Sequence, residues 1–191
     1  MKLTSQVIEA STTYTNPSKQ ATLQLRNSNL TIIDEWPTSY NYDALDLTNN
    51  NLIEISLNEP LPIRTLVING NNEFHQLSSK HFPFLESLSI MGTNVRWEDF
   101  ESWKFPNLKH FIAIDTPLSS IKNYRILVIK QIPSLEVLDF EKVKQKERLA
   151  VKDVKVVDEI DEDYKAQLIE KLKNTDDLLE IERIERILTK K

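Results

Sequence analysis

A chain of 191 residues, 40% hydrophobic and 28% charged, is long enough to bury one substantial core and has an ordinary globular composition. Its net charge of −5 argues against a surface devoted to nucleic acid, so we expect any RNA contact to be local or shared with a partner. The chain has no cysteine and two glycines, which excludes disulfides, thiolate zinc sites and glycine-rich phosphate loops. Because no signal peptide or long apolar stretch is visible, we expect a soluble intracellular protein that does not contact membranes.

Residues 1–21 are predicted to form an N-terminal cap with a helix around Ser5–Thr12. A repeat then begins, in which an apolar residue is followed two positions later by another, and three positions after that by a small polar residue. Its first apolar positions are Leu23, Leu45, Leu66, Leu88, Phe111 and Leu138. They are 22, 21, 22, 23 and 27 residues apart, within the roughly 20–29 residues of leucine-rich repeats.

Alternation along each short strand points the apolar pair inward and the residues beside it outward, onto one face of a parallel sheet. Small polar residues follow where the chain turns, and a buried Asn amide at that point can satisfy unpaired backbone groups. Asn occupies this position in two repeats (Asn50 and Asn71), Ser or Thr in three (Ser28, Thr93 and Thr116), and Val143 ends the series. The outward positions that we predict to bind a partner are Gln24, Arg26, Asp46, Thr48, Val67, Asn69, Ser89, Met91, Ile112 and Ile114.

Residues 119–151 are predicted to form the C-terminal cap. It contains a helix over 123–129, stopped by Ile132-Pro133, then the last strand and a charged helix over Lys142–Val151. The predicted fold class is therefore an α/β solenoid, a short right-handed superhelix of about six leucine-rich repeats with caps at both ends. This domain would span residues 1–151.

The composition and the apolar pattern of the sequence change after residue 151. We predict an acidic linker over 152–163 and a helical tail over 164–191, with helices at Tyr164–Lys173 and Leu178–Leu188. The second helix is amphipathic and marginal alone in water. It either folds back on the solenoid or stays largely disordered, or it orders against a second partner.

Catalytic and metal-binding patterns are absent from the sequence. His75, His81 and His110 do not have metal-ligand spacing, and no nucleophile motif is visible. Trp36 and Trp103, like Trp97, fall between strands and are expected to serve packing. We therefore predict a protein that is not an enzyme, with no catalytic residue, metal or cofactor.

Segments at both ends carry a family resemblance. The N-terminal segments are Lys2-Leu3-Thr4 and Tyr14-Thr15-Asn16. The C-terminal segments are Asn123-Tyr124-Arg125, Leu138-Asp139-Phe140-x-Lys142-Val143 and Leu178–Ile184. Together they resemble the A-prime family of the U2 small nuclear ribonucleoprotein, most closely its fungal members. The cap motif also occurs in phosphatase-regulatory repeat proteins, so a generic leucine-rich-repeat adaptor of that kind is the alternative.

The resemblance implies a nuclear, non-catalytic spliceosomal scaffold. Such a protein pairs with an RNA-recognition-motif protein of the B-double-prime type, gripping a helix of it with the concave sheet, and the pair binds a U2 snRNA stem-loop in pre-mRNA splicing. The RNA would be held mostly through the partner, with direct contacts from Lys2, Lys19 and Arg26. The basic stretch Lys142, Lys144, Lys146 and Arg148 is expected to be a solvated face. The C-terminal helix would be available to other spliceosomal proteins.

Overall fold

The computed structural model describes residues 1–36 and 41–151, and in the tail only residues 169–170, 172–175, 181, 184 and 185. The chain divides into two compact units, Met1–Val151 and Lys152–Lys191. In the second unit, residues 169–170, 172–174, 181 and 184–185 are helical. The predicted acidic linker over 152–163 lies outside the described residues, as does most of the two predicted tail helices.

The described residues of the first unit form two sheets and four α-helices. The strands, in chain order, are β1 Thr12–Thr15, β2 Ala21–Gln24, β3 Ile32–Ile33, β4 Ala44–Asp46, β5 Glu54–Ile55, β6 Thr65–Val67, β7 Gln76–Leu77, β8 Ser87–Ser89, β9 His110–Ile112, β10 Val137–Leu138 and β11 Glu141–Lys142. The helices are α1 Ser5–Glu9, α2 Trp97–Phe100, α3 Tyr124–Gln131 and α4 Gln145–Ala150. Short 3-10 turns lie at Ser79–His81 and Leu118–Ser120.

The large sheet has eight strands in the order β1-β2-β4-β6-β8-β9-β10-β11. Its strands from β2 to β10 are parallel, and antiparallel β1 and β11 close its two ends. The register is the predicted one, because each first apolar residue pairs with the next along Leu23, Leu45, Leu66, Leu88, Phe111 and Leu138. All six side chains are buried, which confirms the repeat assignment and the leucine-rich-repeat fold.

In four repeats a buried polar side chain holds the turn after the strand, at Asn50, Asn71, Thr93 and Thr116. The Asn71 amide donates to the carbonyls of Leu47 at 3.0 Å and Ile68 at 2.8 Å, and its oxygen accepts from the Leu52 amide at 3.0 Å. Asn50 makes equivalent bonds one repeat earlier. The hydroxyl of Thr93 donates to one carbonyl of its own repeat, at 2.8 Å. A hydroxyl therefore satisfies fewer backbone groups than the amide, and its bonds stay within one repeat.

A second ladder, which the sequence analysis missed, stands one residue before the first. Four positions after the first apolar residue of the first five repeats the backbone is left-handed, at Asn27, Asn49, Gly70, Gly92 and Asp115. Both glycines of the chain belong to this ladder. Gly70 adopts φ of 68°, and a Cβ there would lie 2.4 Å from the Asn49 side-chain oxygen, so the Asn49 side chain would have to move. Asn, Asp and Gly are the residues that adopt this conformation most readily.

The core lies between the large sheet and the connections that return to it. Strands β3, β5 and β7 form a small parallel sheet behind the first repeats. Behind the later repeats the core is aromatic. Phe100 stacks on Phe111 at 5.4 Å between ring centroids and packs against Trp103 at 5.6 Å with the rings tilted by 59°. Trp103 is buried and Trp36 packs edge-on against Tyr42, so the packing role predicted for the tryptophans is confirmed.

Three predicted element boundaries were wrong. The first helix ends at Glu9 rather than Thr12, because the β-branched run of Thr12–Thr15 forms strand β1 instead. The cap helix α3 extends two residues past the predicted 129. The last helix begins at Gln145 rather than Lys142, because Glu141–Lys142 pair with β10 in a hairpin.

Candidate protein-binding face

The face of the large sheet that points away from the core is called here the open sheet face. Because Leu23 and Leu25 point into the core, Thr22, Gln24 and Arg26 point outward. The strand register aligns equivalent residues into three rows across the sheet. The first row is Thr22, Ala44, Thr65, Ser87, His110 and Val137; the second is Gln24, Asp46, Val67, Ser89 and Ile112; the third is Arg26, Thr48, Asn69, Met91 and Ile114.

All ten outward positions taken from the sequence lie in the second and third rows. The first row was missed because the repeat was counted from its first apolar residue, although the same alternation places the preceding residue on the outward side. Strand β1 was missed as well. Its Tyr14 pairs with Thr22, so Tyr14 extends the first row by one strand, and it is 40% exposed.

A buried carboxylate organises the N-terminal end of the open sheet face. The oxygens of Asp46 accept from the Arg26 guanidinium at 2.6 Å and from the hydroxyl and amide of Thr48 at 2.6 and 3.1 Å. The Asp46 hydrogen bond is the main cause that raises the pKa of Arg26. Asp46 itself is 2% exposed, so it positions the arginine, while the Arg26 side chain remains 47% exposed with N–H groups available to a ligand.

Polar side chains in the middle of the face are tied to one another. The side-chain oxygen of Asn69 accepts from the Ser89 hydroxyl at 2.7 Å and from the Met91 amide at 3.0 Å. Gln20, at the start of β2, reaches across Ala44 to accept from the Thr65 hydroxyl at 2.8 Å. These bonds fix the side chains before any ligand arrives, which lowers the entropy cost of binding.

The C-terminal part of the face is aliphatic. Val67, Met91, Ile112, Ile114 and Val137 are half-buried there, next to the polar middle and distant in strand order from Arg26 and Asp46. A face with an apolar patch, an arginine and internally satisfied polar groups has the composition of a protein interface.

The three lysine and arginine side chains predicted to contact RNA do not form one patch. Lys2 bridges to Ile32 beside the small sheet and is paired with the Asp34 carboxylate. Lys19 is exposed in the left-handed turn between β1 and β2, with φ of 60°. Arg26 follows the opposite end of β2 and is bound to Asp46.

A metal-binding cluster and a membrane-spanning helix are both absent from the described part of the chain. Among those residues, no group of three or more His, Asp or Glu side chains is placed to hold a metal ion. No helix there is long and apolar enough to cross a bilayer. The open sheet face is therefore the feature on which a functional argument can be built.

Comparison with known proteins places this fold in a family. A family model described as leucine-rich repeat matches residues 1–166. The U2 small nuclear ribonucleoprotein A′ of Debaryomyces hansenii is 31% identical over 234 residues, covering 98% of each chain. The protein of the same name from Candida albicans is 34% identical over 161 residues, covering 81% of this chain and 69% of that one. The human protein of that name is 29% identical, and the match covers 60% of its length.

A solved structure agrees with these relatives. The crystal structure of the Drosophila melanogaster SNF/U2A′ complex contains a chain that matches with a TM-score of 0.70 and 29% identity, over 80% of this chain and 91% of that one. The repeat register, the caps and these matches lead to one assignment: the chain belongs to the U2 small nuclear ribonucleoprotein A′ family of leucine-rich-repeat proteins.

Proposed function

We propose that this protein is a non-catalytic scaffold subunit of the nuclear U2 small nuclear ribonucleoprotein. Its open sheet face binds an RNA-recognition-motif protein of the B-double-prime type, and the pair binds a U2 snRNA stem-loop in pre-mRNA splicing. The family assignment supports the particle, and the Drosophila relative was solved in a complex with SNF. The net charge of −5 supports a chain that holds the protein partner first and the RNA mostly through it.

The observation that carries the proposal is the preorganisation of the open sheet face, whose polar side chains are already held by hydrogen bonds. Asp46, Thr48, Asn69 and Ser89 bond to one another's groups or to the backbone beside them. The aliphatic patch around Ile112 and Met91 supplies area for the apolar surface of a helix. An amphipathic partner helix with a polar or acidic end toward Arg26 fits this distribution.

Reconstitution from purified components tests whether the RNA is bound mostly through the partner. Partner and chain are purified separately, and binding of the U2 snRNA stem-loop is measured for each alone and for the mixture. We expect this chain alone to bind RNA weakly and the mixture to bind tightly and selectively. Tight, sequence-selective binding by this chain alone would contradict the proposal, as would recovery of a phosphatase catalytic subunit and no ribonucleoprotein subunit from native extract.

One substitution tests the binding face. Ile112→Arg places a charge in the aliphatic patch, and we expect it to weaken partner binding by about 30-fold or more, as a central interface position would. The matched control is Ile53→Arg, because Ile53 is 45% exposed and lies before β5 of the small sheet. Calorimetry of both variants, with thermal unfolding recorded in parallel, distinguishes a lost contact from a lost fold. Equal binding by the two variants would place the interface elsewhere.

A further inference from the structure

The hairpin at the C-terminal edge of the large sheet carries a feature that the scaffold role does not explain. Strands β10 and β11 are joined by the two residues Asp139 and Phe140, whose φ angles of 49° and 65° are those of a type I′ turn. Such turns favour Asn or Asp followed by Gly, yet the second residue here is a phenylalanine. Its side chain is 69% exposed. A bulky aromatic residue is thus held in an unfavourable backbone conformation and in solvent.

The hairpin is rigid because an arginine ties it to the cap. Arg125 of α3 donates to the carbonyls of Leu138 at 2.9 Å, Glu141 at 3.3 Å and Lys142 at 3.4 Å. Its Nε also donates to Glu147 at 2.5 Å. The Asp139 carboxylate accepts from the Ala113 amide at 2.8 Å, which fixes the turn against β9. The exposed ring of Phe140 therefore projects from a fixed support.

Four basic residues around this hairpin differ in their contacts. Arg125 and Arg148 donate to backbone carbonyls within the cap. Lys142 and Lys144 are exposed. Besides the Arg125 hydrogen bond, the nearby Lys144 helps to lower the pKa of the Glu147 carboxyl. Because Val143 between them is buried, alternation places both lysines on the opposite side of the chain, roughly 6–7 Å apart along it.

These lysines continue the open sheet face. Lys142 pairs with Val137, which ends the first row, so the two side chains lie on the same side of the sheet. A ligand held by a partner on the open sheet face could therefore reach the hairpin without leaving the sheet.

We propose that Phe140, Lys142 and Lys144 form a direct RNA contact, in which an unpaired base stacks on the ring and the two amines bind adjacent phosphates. An exposed aromatic ring within four residues of two exposed lysines has the composition of surfaces that bind single-stranded nucleic acid without reading its sequence. The site rests on the proposed function, since the partner brings the RNA to this edge. It also places the direct contact away from Lys2 and Arg26, each of which is already ion-paired with a carboxylate of this chain.

The test uses the complex of the full-length chain with its partner and the U2 snRNA stem-loop. Phe140→Asn removes the ring and inserts a residue that accepts positive φ, so its unfolding temperature is expected to equal or exceed that of the wild type. Its RNA affinity is expected to fall about tenfold, whereas Phe140→Trp keeps the affinity. The matched control is Phe84→Asn, because Phe84 is 58% exposed and precedes β8 outside the open sheet face.

Salt dependence tests the lysines. Lys142→Gln with Lys144→Gln should lower the slope of log affinity against log salt by about 1.5, the contribution of two phosphate contacts. Lys80→Gln with Lys104→Gln, which removes two exposed lysines elsewhere, should leave the slope unchanged.

Binding of the partner without RNA, measured first, separates the two proposals. If the wild-type chain fails to bind the partner, the proposed function fails and this inference with it. If the partner binds but the hairpin variants keep wild-type RNA affinity and slope, the RNA contact alone is wrong. If Phe140→Asn weakens partner binding without RNA, Phe140 contacts protein and the inference is overturned.

Discussion

Asn71 shows how one side chain can hold two repeats together. Its amide bonds to carbonyls of both its own repeat and the preceding one, and its oxygen accepts from an amide of that preceding repeat. The side chain is fully buried. Water therefore cannot replace these bonds if the amide is removed.

We expect Asn71→Ala to lower the free energy of unfolding by about 2–4 kcal/mol, since the Leu52 amide and the Ile68 carbonyl lose their side-chain partner and the Leu47 carbonyl keeps only its bond from Asn50. The neighbouring Asn72 is exposed, and Asn72→Ala should cost less than about 0.5 kcal/mol. Urea denaturation of both variants measures the difference. Equal losses would mean that the Asn71 bonds contribute little to stability.

Sequence reasoning found the Asn71 ladder but not the left-handed ladder beside it. Asn50 and Asn71 share a chemical identity at a fixed offset, which a pattern search detects. Asn49, Gly70 and Asp115 share only a backbone angle, which no single residue type reports. The first row of the open sheet face was overlooked for a different reason, since Thr22 and Ala44 precede the apolar residue from which the repeat was counted.

Residues of opposite charge alternate just before neighbouring strands of the large sheet, at Arg64, Glu86 and Lys109. Glu86, just before β8, accepts from Arg64 at 2.7 Å and from Lys109 at 2.8 Å, one repeat away on either side. The Lys109 hydrogen bond is the main cause that lowers the pKa of Glu86, and Glu86 in turn raises the pKa of Lys109. These groups are partly exposed to solvent, so their contribution is small and sensitive to salt.

The directions of these pKa shifts determine the pH range in which the Glu86 ion pairs stabilise the fold. A carboxylate with a lowered pKa stabilises the fold above its ordinary value of 4.5 and loses that contribution as pH falls through its folded pKa. We expect Glu86→Gln to flatten the fall in unfolding temperature between about pH 5 and pH 3 at low salt. The control, Glu54→Gln, changes an exposed residue on β5 outside the Glu86 ion pairs. An unchanged acid slope in Glu86→Gln would show that the Glu86 ion pairs do not contribute.

Elements differed in how far the sequence predicted them. Strands β2 to β10 of the large sheet were predicted in register because buried apolar pairs recur at each repeat. The small sheet was not predicted from the sequence. Its strands, such as Ile32–Ile33 and Gln76–Leu77, are two residues long, which is too short to show an alternating pattern. The β10–β11 hairpin was hidden as well, because Asp-Phe is not a turn signature.

At the scale of the whole molecule, the compact unit Met1–Val151 contains both sheets and the capping helices. We expect a fragment of residues 1–151 to unfold cooperatively and to bind the partner with wild-type affinity, because the open sheet face and both caps are retained. Circular dichroism and calorimetry on the fragment and the full chain measure this. A fragment that folds but binds more weakly would show that the tail contributes to the partner interface.

The constant strand register spaces the residue rows of the open sheet face evenly from strand to strand. Repeat lengths vary, yet Leu23, Leu45, Leu66 and their successors stay paired, so every added residue is accommodated on the far side and the strands remain about 4.8 Å apart. An α-helix advances about 5.4 Å per turn. The difference between helix pitch and strand spacing adds up to about 3 Å over the five strand intervals from β2 to β10. A helix that lies perpendicular to the strands therefore keeps one turn above each strand over only part of the face. A partner helix that uses both the Arg26 end and the Ile112 end must therefore cross the strands obliquely.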